Sequence, residues 1–69
     1  MKEGEIWYGR PGTPYEGVEA RIDVVTVRKV SCTYNRIVEI DGMRLAGEVM
    51  PKGKFMRMFE QAQQLNLFE

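Results

Sequence analysis

The chain has 69 residues, room for one domain at most. A chain of this size buries only about 60% of its unfolded surface, so its core must be small. Ten Lys and Arg balance ten Asp and Glu, which removes any global charge argument for nucleic-acid binding; a single cysteine excludes an internal disulfide, and there is no histidine.

Gly4-Glu5-Ile6-Trp7-Tyr8 opens the fold, and Ile6-Trp7-Tyr8 predicts a short first strand. Trp7 is expected in the core, because large aromatics dominate the packing of small domains. Residues 9–17 hold three glycines and two prolines, with Pro11-Gly12 as a turn signal, and predict a loop. Within it Arg10 and Tyr15 are candidate ligand contacts, set against a simple solvated loop.

Residues 18–24 alternate apolar and polar, as a half-buried strand does. The alternation slips at Val24-Val25, which predicts a β-bulge or sharp bend. Arg28-Lys29 is a charged turn candidate. Val30, Cys32 and Tyr34 share one face of the next strand. Cys32 reads as a small core residue, because no histidine is present to activate it. Asn35-Arg36 predicts an interruption of pairing. The run from Ile37 to Ile40 and that from Met43 to Ala46 flank Asp41-Gly42, a type I′ hairpin signal that needs positive φ at both positions. Gly47 predicts a bend.

Pro51-Lys52-Gly53-Lys54 reads as a breaker. From Phe55 the pattern is helical, with Phe55, Phe59 and Ala62 on one face and Met58 beside it. The helix is expected to dock through Phe55 and Phe59 and to fray near Gln63-Gln64. The predicted architecture is mainly β (α+β): a small antiparallel barrel or bent sheet of four or five strands with a C-terminal helix. Residues 1–63 form the domain and residues 64–69 an exposed tail. This layout resembles an SH3-like domain. The pattern Gly4-x-Ile6-Trp7, Val30-x-x-Thr33-Tyr34 and Pro51-x-x-x-Phe55-x-x-x-Phe59 also resembles small proteins of bacteriophages and prophages. That resemblance spans most of the chain, although the long middle hairpin departs from the shorter phage pattern.

The chain ends in Gln64-Leu65-Asn66-Leu67-Phe68-Glu69. Gln-Leu-x-Leu-Phe resembles the peptide by which bacterial replication and repair proteins hold the DNA polymerase III β sliding clamp. Gln64, Leu65, Leu67 and Phe68 match its defining positions, and Asn66 occupies the variable one. The resemblance implies that Leu67 and Phe68 fill a pocket on the clamp, that Gln64 hydrogen-bonds beside it, and that Leu65 adds a flanking apolar contact. A position at the end of the sequence is where such a motif is expected to be reachable. The competing reading is a C-terminal helix whose apolar residues pack on the core.

Other chemistry has little footing. No Walker loop, dinucleotide fingerprint or nucleophile elbow is present. Glu39, Asp41 and Glu48 could in principle converge as a carboxylate site, and solvated surface is the preferred reading of them. Arg21, Arg28, Lys29, Arg36 and Arg44 could gather beside Tyr34, with Lys52, Lys54 and Arg57 at the start of the helix, as a nucleic-acid-binding face. Interleaved acidic residues favour an ordinary mixed surface. No apolar run approaches 18 residues, and residues 1–5 carry no apolar signal region, so the expected compartment is the cytoplasm of a bacterial host. The expectation is therefore a non-enzymatic, cofactor-free interaction protein of phage type. It would bind the sliding clamp, touch DNA only through it, and inhibit replication; a nucleic-acid-binding regulator is the alternative.

Overall fold

The computed structural model describes residues 1–61; residues 62–69, with Ala62 and the Gln64 to Phe68 motif, lie outside it. The order is β1 (Ile6–Gly9), β2 (Glu19–Val25), β3 (Lys29–Ile40), β4 (Met43–Pro51), α1 (Lys52–Met58) and β5 (Phe59–Gln61). Among the described residues five strands form one antiparallel sheet in the order β4-β3-β2-β1-β5. The expected mainly-β architecture is present, but the sheet is open-edged and not closed into a barrel. None of the described helices is long and apolar enough to cross a membrane.

Period-two alternation sets the faces. Trp7, Ala20, Ile22, Val30, Cys32 and Tyr34 point to one side and are buried there. Ile6, Tyr8, Glu19 and Arg21 alternate with them on the other side. The slip in β2 is a bulge: Ile22 pairs with Cys32 but Val24 pairs with Ser31, leaving Asp23 as the extra residue. Val25 then faces Val30 and packs on the core, two residues after the extra position. The bulged Asp23 carboxylate accepts from the Thr33 hydroxyl and from Arg21 Nε. Those bonds, the Thr33 one foremost, hold its carboxyl below the usual range.

The interruption expected at Asn35-Arg36 is larger in space. Thr33 pairs with Gly47, yet Val38 pairs with Leu45, so residues 34–37 of β3 stand against Ala46 alone. β3 stays extended through this gap, and the two predicted strands are one. Gly47 is obligatory at the break, because a Cβ there would lie 2.4 Å from the Cys32 carbonyl oxygen. At the far end Asp41 and Gly42 have φ of 51° and 81°, the pair of positive values that a type I′ turn requires.

The helix departs most from expectation. It starts at Lys52, inside the supposed breaker, and ends at Met58. Pro51 caps its N-terminus with φ −60° and ψ 145°. Proline is compatible with a helix start, where its missing N–H costs no helical bond. Phe59 then turns extended, its N–H still donating to Phe55 O, and opens β5 against Gly9. The helix is therefore not C-terminal to the sheet: it links β4 to β5. The expected Phe55–Phe59 docking survives the shorter helix. Both rings are fully buried and stack at 4.6 Å with an interplanar angle of 16°.

Loop residues 10–18 fold back under the sheet. Thr13 Oγ1 donates to Arg10 O and accepts from the Tyr15 N–H, and Val18 N–H donates to Tyr15 O. Tyr15 enters the core so closely under β1 that a Cβ on Gly9 would lie 1.7 Å from its carbonyl oxygen. Gly9→Ala should therefore cost about 3 kcal/mol or more, at the severe end of overpacking. Gly53→Ala, inside α1 with its nearest neighbour 3.7 Å away, should gain about 0.5–1 kcal/mol. Urea unfolding of the two variants checks both signs, and equal midpoints would contradict the close approach at Gly9.

Candidate functional site

The residues singled out by sequence fall into three places. The clamp-type residues Gln64, Leu65, Asn66, Leu67 and Phe68 lie outside the described residues. The chain reaches them directly from β5, whose last residue, Gln61, pairs with Trp7 at the sheet edge.

The loop candidates are used internally. Tyr15 is buried in the core, its ring 4.9 Å from Phe59 and 5.8 Å from Tyr34. Arg10 Nε donates to Met56 O and Nη1 meets Glu60 Oε1 at 3.2 Å, which ties the loop to the end of α1 and to β5. Trp7 is a core residue, packed 5.4 Å from Phe55, with its indole N–H donating to Glu5 Oε1 at 3.1 Å. Cys32 is also core, and burial raises its thiol pKa.

The proposed basic face does not assemble beside Tyr34. Alternation turns Tyr34 inward, while Arg21 stands on the opposite face and bonds Asp23 at 3.2 Å. Arg28 lies in the turn between β2 and β3, and Lys29 pairs with Pro51 at the far end of β3. Arg36 Nη2 donates to Glu16 O. Arg44 pairs in register with Glu39 on the hairpin arm, where opposite charges face each other. Lys52, Lys54 and Arg57 all fall on α1, away from that face.

The carboxylates do not converge either. Glu39 lies on the arm, Asp41 in its turn, and Glu48 opposite Cys32. Among the described residues no group of three or more metal-ligating side chains gathers.

One constellation escaped the sequence reading. Glu48, in register with Cys32, points to the core side of the edge strand β4 and accepts from the Tyr15 hydroxyl at 3.1 Å. Tyr34 lies in the same cluster, and its buried hydroxyl has no partner among the described residues. Burial pushes the Tyr15 phenol up to about 12, with Glu48 adding to the shift, and burial raises Tyr34 as well. The only sequence signal was Glu48 opposite an alternating core strand, and the three-residue slip in β3 hid that register. An inward carboxylate on an edge strand also discourages pairing with another chain. The arrangement is a polar plug in the core wall.

The outer face carries a shallow depression of about 140 Å³, lined by Ile6, Glu19, Arg21, Thr33, Tyr34 and Asn35. It begins at β1, the strand beside β5.

A phenol whose folded pKa is raised contributes stability below its ordinary value of 10 and loses it as pH climbs through the folded value. The fold should therefore weaken between pH 10 and about 12 as Tyr15 is driven to ionise. Tyr15→Phe should remove that term while costing about 1 kcal/mol at neutral pH through the lost bond to Glu48. Tyr34→Phe, which deletes a hydroxyl with no partner among the described residues, should be neutral or stabilising. Urea midpoints of the three proteins at pH 7 and pH 11 check this, and a Tyr34→Phe cost above that of Tyr15→Phe would contradict the assignment.

No protein-family model, no curated protein and no solved structure matches the chain.

Proposed function

We propose that the chain is a small interaction protein of phage type that docks on the bacterial DNA polymerase III sliding clamp through residues 64–68 and inhibits replication by occupying a pocket that polymerases share. The observation that carries this is the motif itself: Gln64, Leu65, Leu67 and Phe68 stand at its four defining positions. The fold supports it in one respect. Five strands, the helix and the aromatic core are already present by Gln61, ahead of the motif in the chain. An SH3-like reading of the domain belongs to the same proposal. It draws support from four consecutive antiparallel strands and a short helix that returns a fifth strand to β1.

The chemistry is that of a linear peptide. Leu67 and Phe68 are adjacent, so an extended segment can place both in one groove without an amphipathic face. Gln64 supplies a polar anchor and Leu65 a flanking contact. Burial of a Leu and a Phe contributes about 1.5–3 kcal/mol each. Ordering of the segment and loss of rigid-body freedom offset much of the total gain. A net of about 7–8 kcal/mol, near micromolar, is expected for the peptide contacts alone. DNA contact enters only through the clamp, and the site of action is the host cytoplasm.

Calorimetry with a purified bacterial sliding clamp is the test. The chain should bind saturably at micromolar strength or better, and Leu67→Ala with Phe68→Ala should abolish the heat. DNA synthesis on primed template should stop at stoichiometric protein. Unimpaired synthesis despite binding would replace inhibition by recruitment, and no binding by a folded chain would remove the clamp altogether.

A further inference from the structure

We infer that the folded domain supplies a second contact to the same partner, through the outer-face strip Ile6 and Tyr8 of β1. The inference rests on the clamp reading and adds a surface to it. Two residues separate Gln61 from Gln64. Whatever their conformation, the three Cα–Cα steps span at most about 11 Å. A surface that receives Gln64 is therefore held beside the β5 edge. β1 is the next strand, about 4.8 Å away in the hydrogen-bonding direction. Tyr8 pairs with Glu60, and Trp7 pairs with Gln61. Trp7 turns into the core, so its neighbours Ile6 and Tyr8 turn out, 39% and 37% exposed.

The outer face is not covered by another layer among the described residues. Phe55 of α1 is buried with Trp7 on the opposite side of the sheet. Behind Ile6 the shallow depression continues across β2 to Thr33 and Asn35, with Glu19 and Arg21 on its walls. The strip thus offers an apolar centre with a polar rim, the arrangement of a protein-binding patch. Its distance from the motif is set by the covalent chain. A motif on so short a tether gives any weak contact of the strip a high effective concentration.

The test uses four full-length chains against one purified clamp: wild type, I6T/Y8T, L67A/F68A, and a chain with ten Gly/Ser residues inserted after Gln61. I6T/Y8T replaces two outward side chains with a strand-compatible residue, and its urea midpoint should stay close to wild type. It should bind about tenfold more weakly than wild type. The inserted linker should lower the affinity in the same direction, and L67A/F68A should abolish binding. Binding by I6T/Y8T equal to wild type overturns the inference and leaves the clamp reading intact. Tighter binding also overturns it and reassigns the strip to residues 62–69 of the chain itself. A concentration-dependent dimer in sedimentation that I6T/Y8T abolishes overturns it in favour of a second copy. Absence of binding by wild type overturns the clamp reading and this inference together.

Discussion

The structure depends on one pair of rings. Phe55 and Phe59 stand four residues apart, stack at 4.6 Å, and are fully buried although the second has already left the helix. Trp7 of β1 packs 5.4 Å from Phe55. Tyr15 of the loop and Tyr34 of β3 pack 4.9 and 6.1 Å from Phe59. Strand, loop and helix are thereby joined through two side chains. In a domain this small such a cluster outweighs any single ladder of hydrogen bonds, because each buried aromatic contributes about 1.5–3 kcal/mol from burial and more from ring geometry. It also explains why α1 is so short. A helix continued through Phe59 would leave Gly9 without its strand partner.

The loop follows from the same cluster. Tyr15 must reach Phe59 from beneath β1, and only a glycine at position 9 leaves room for its carbonyl. Once there, its hydroxyl sits at the wall of the core and needs an acceptor. Glu48 provides one from the edge strand. A carboxylate turned toward a core is costly when unpaired. Here it is only partly buried, it accepts from a phenol, and it makes β4 a poor template for a foreign strand. Gly47 and Pro51 on the same strand act in the same direction. Local strain, polar satisfaction and edge protection agree at this corner of the fold, which is the consistency that gives a short sequence one structure.

Much of the fold was legible because its signals were local. Alternation marked β2 and β3 and assigned Cys32 and Tyr34 to one face, the bulk of a lone Trp assigned Trp7 to the core, and Asp41-Gly42 marked the hairpin. The phase slip in β2 placed the bulge within a residue of Asp23. What stayed hidden was non-local. The slip of residues 34–37 against Ala46 depends on how two strands coil, so Glu48 could not be assigned to the core side. Pro51-Lys52-Gly53-Lys54 looked like a breaker because propensity disfavours Gly, yet burial of Phe55 overrides that preference. The basic face failed for a simple reason: grouping arginines with Tyr34 ignored the alternation that sends Tyr34 inward. The candidate site is the opposite case. A linear peptide carries its chemistry in residue order, so Gln64, Leu65, Leu67 and Phe68 were readable without any fold.

A fold and a peptide joined by so few residues constrain each other. On a long linker the domain would be cargo, and its surface would be free to differ from anything the peptide meets. The two residues between Gln61 and Gln64 do not allow that separation. Under the proposed docking, a surface that accepted Gln64 would also meet the rim of the sheet, and any mismatch there would subtract from the peptide's own affinity. Charge clustered on that rim would make such a mismatch severe. On the described rim the charges are largely matched: Arg10 is held by Glu60, and Arg21 by Asp23. Ile6 and Tyr8 face outward between them, with Glu19 in register with Tyr8. If the chain docks as proposed, close tethering makes the same strip either an aid or an obstacle, and an apolar strip with a polar rim is the composition that aids it.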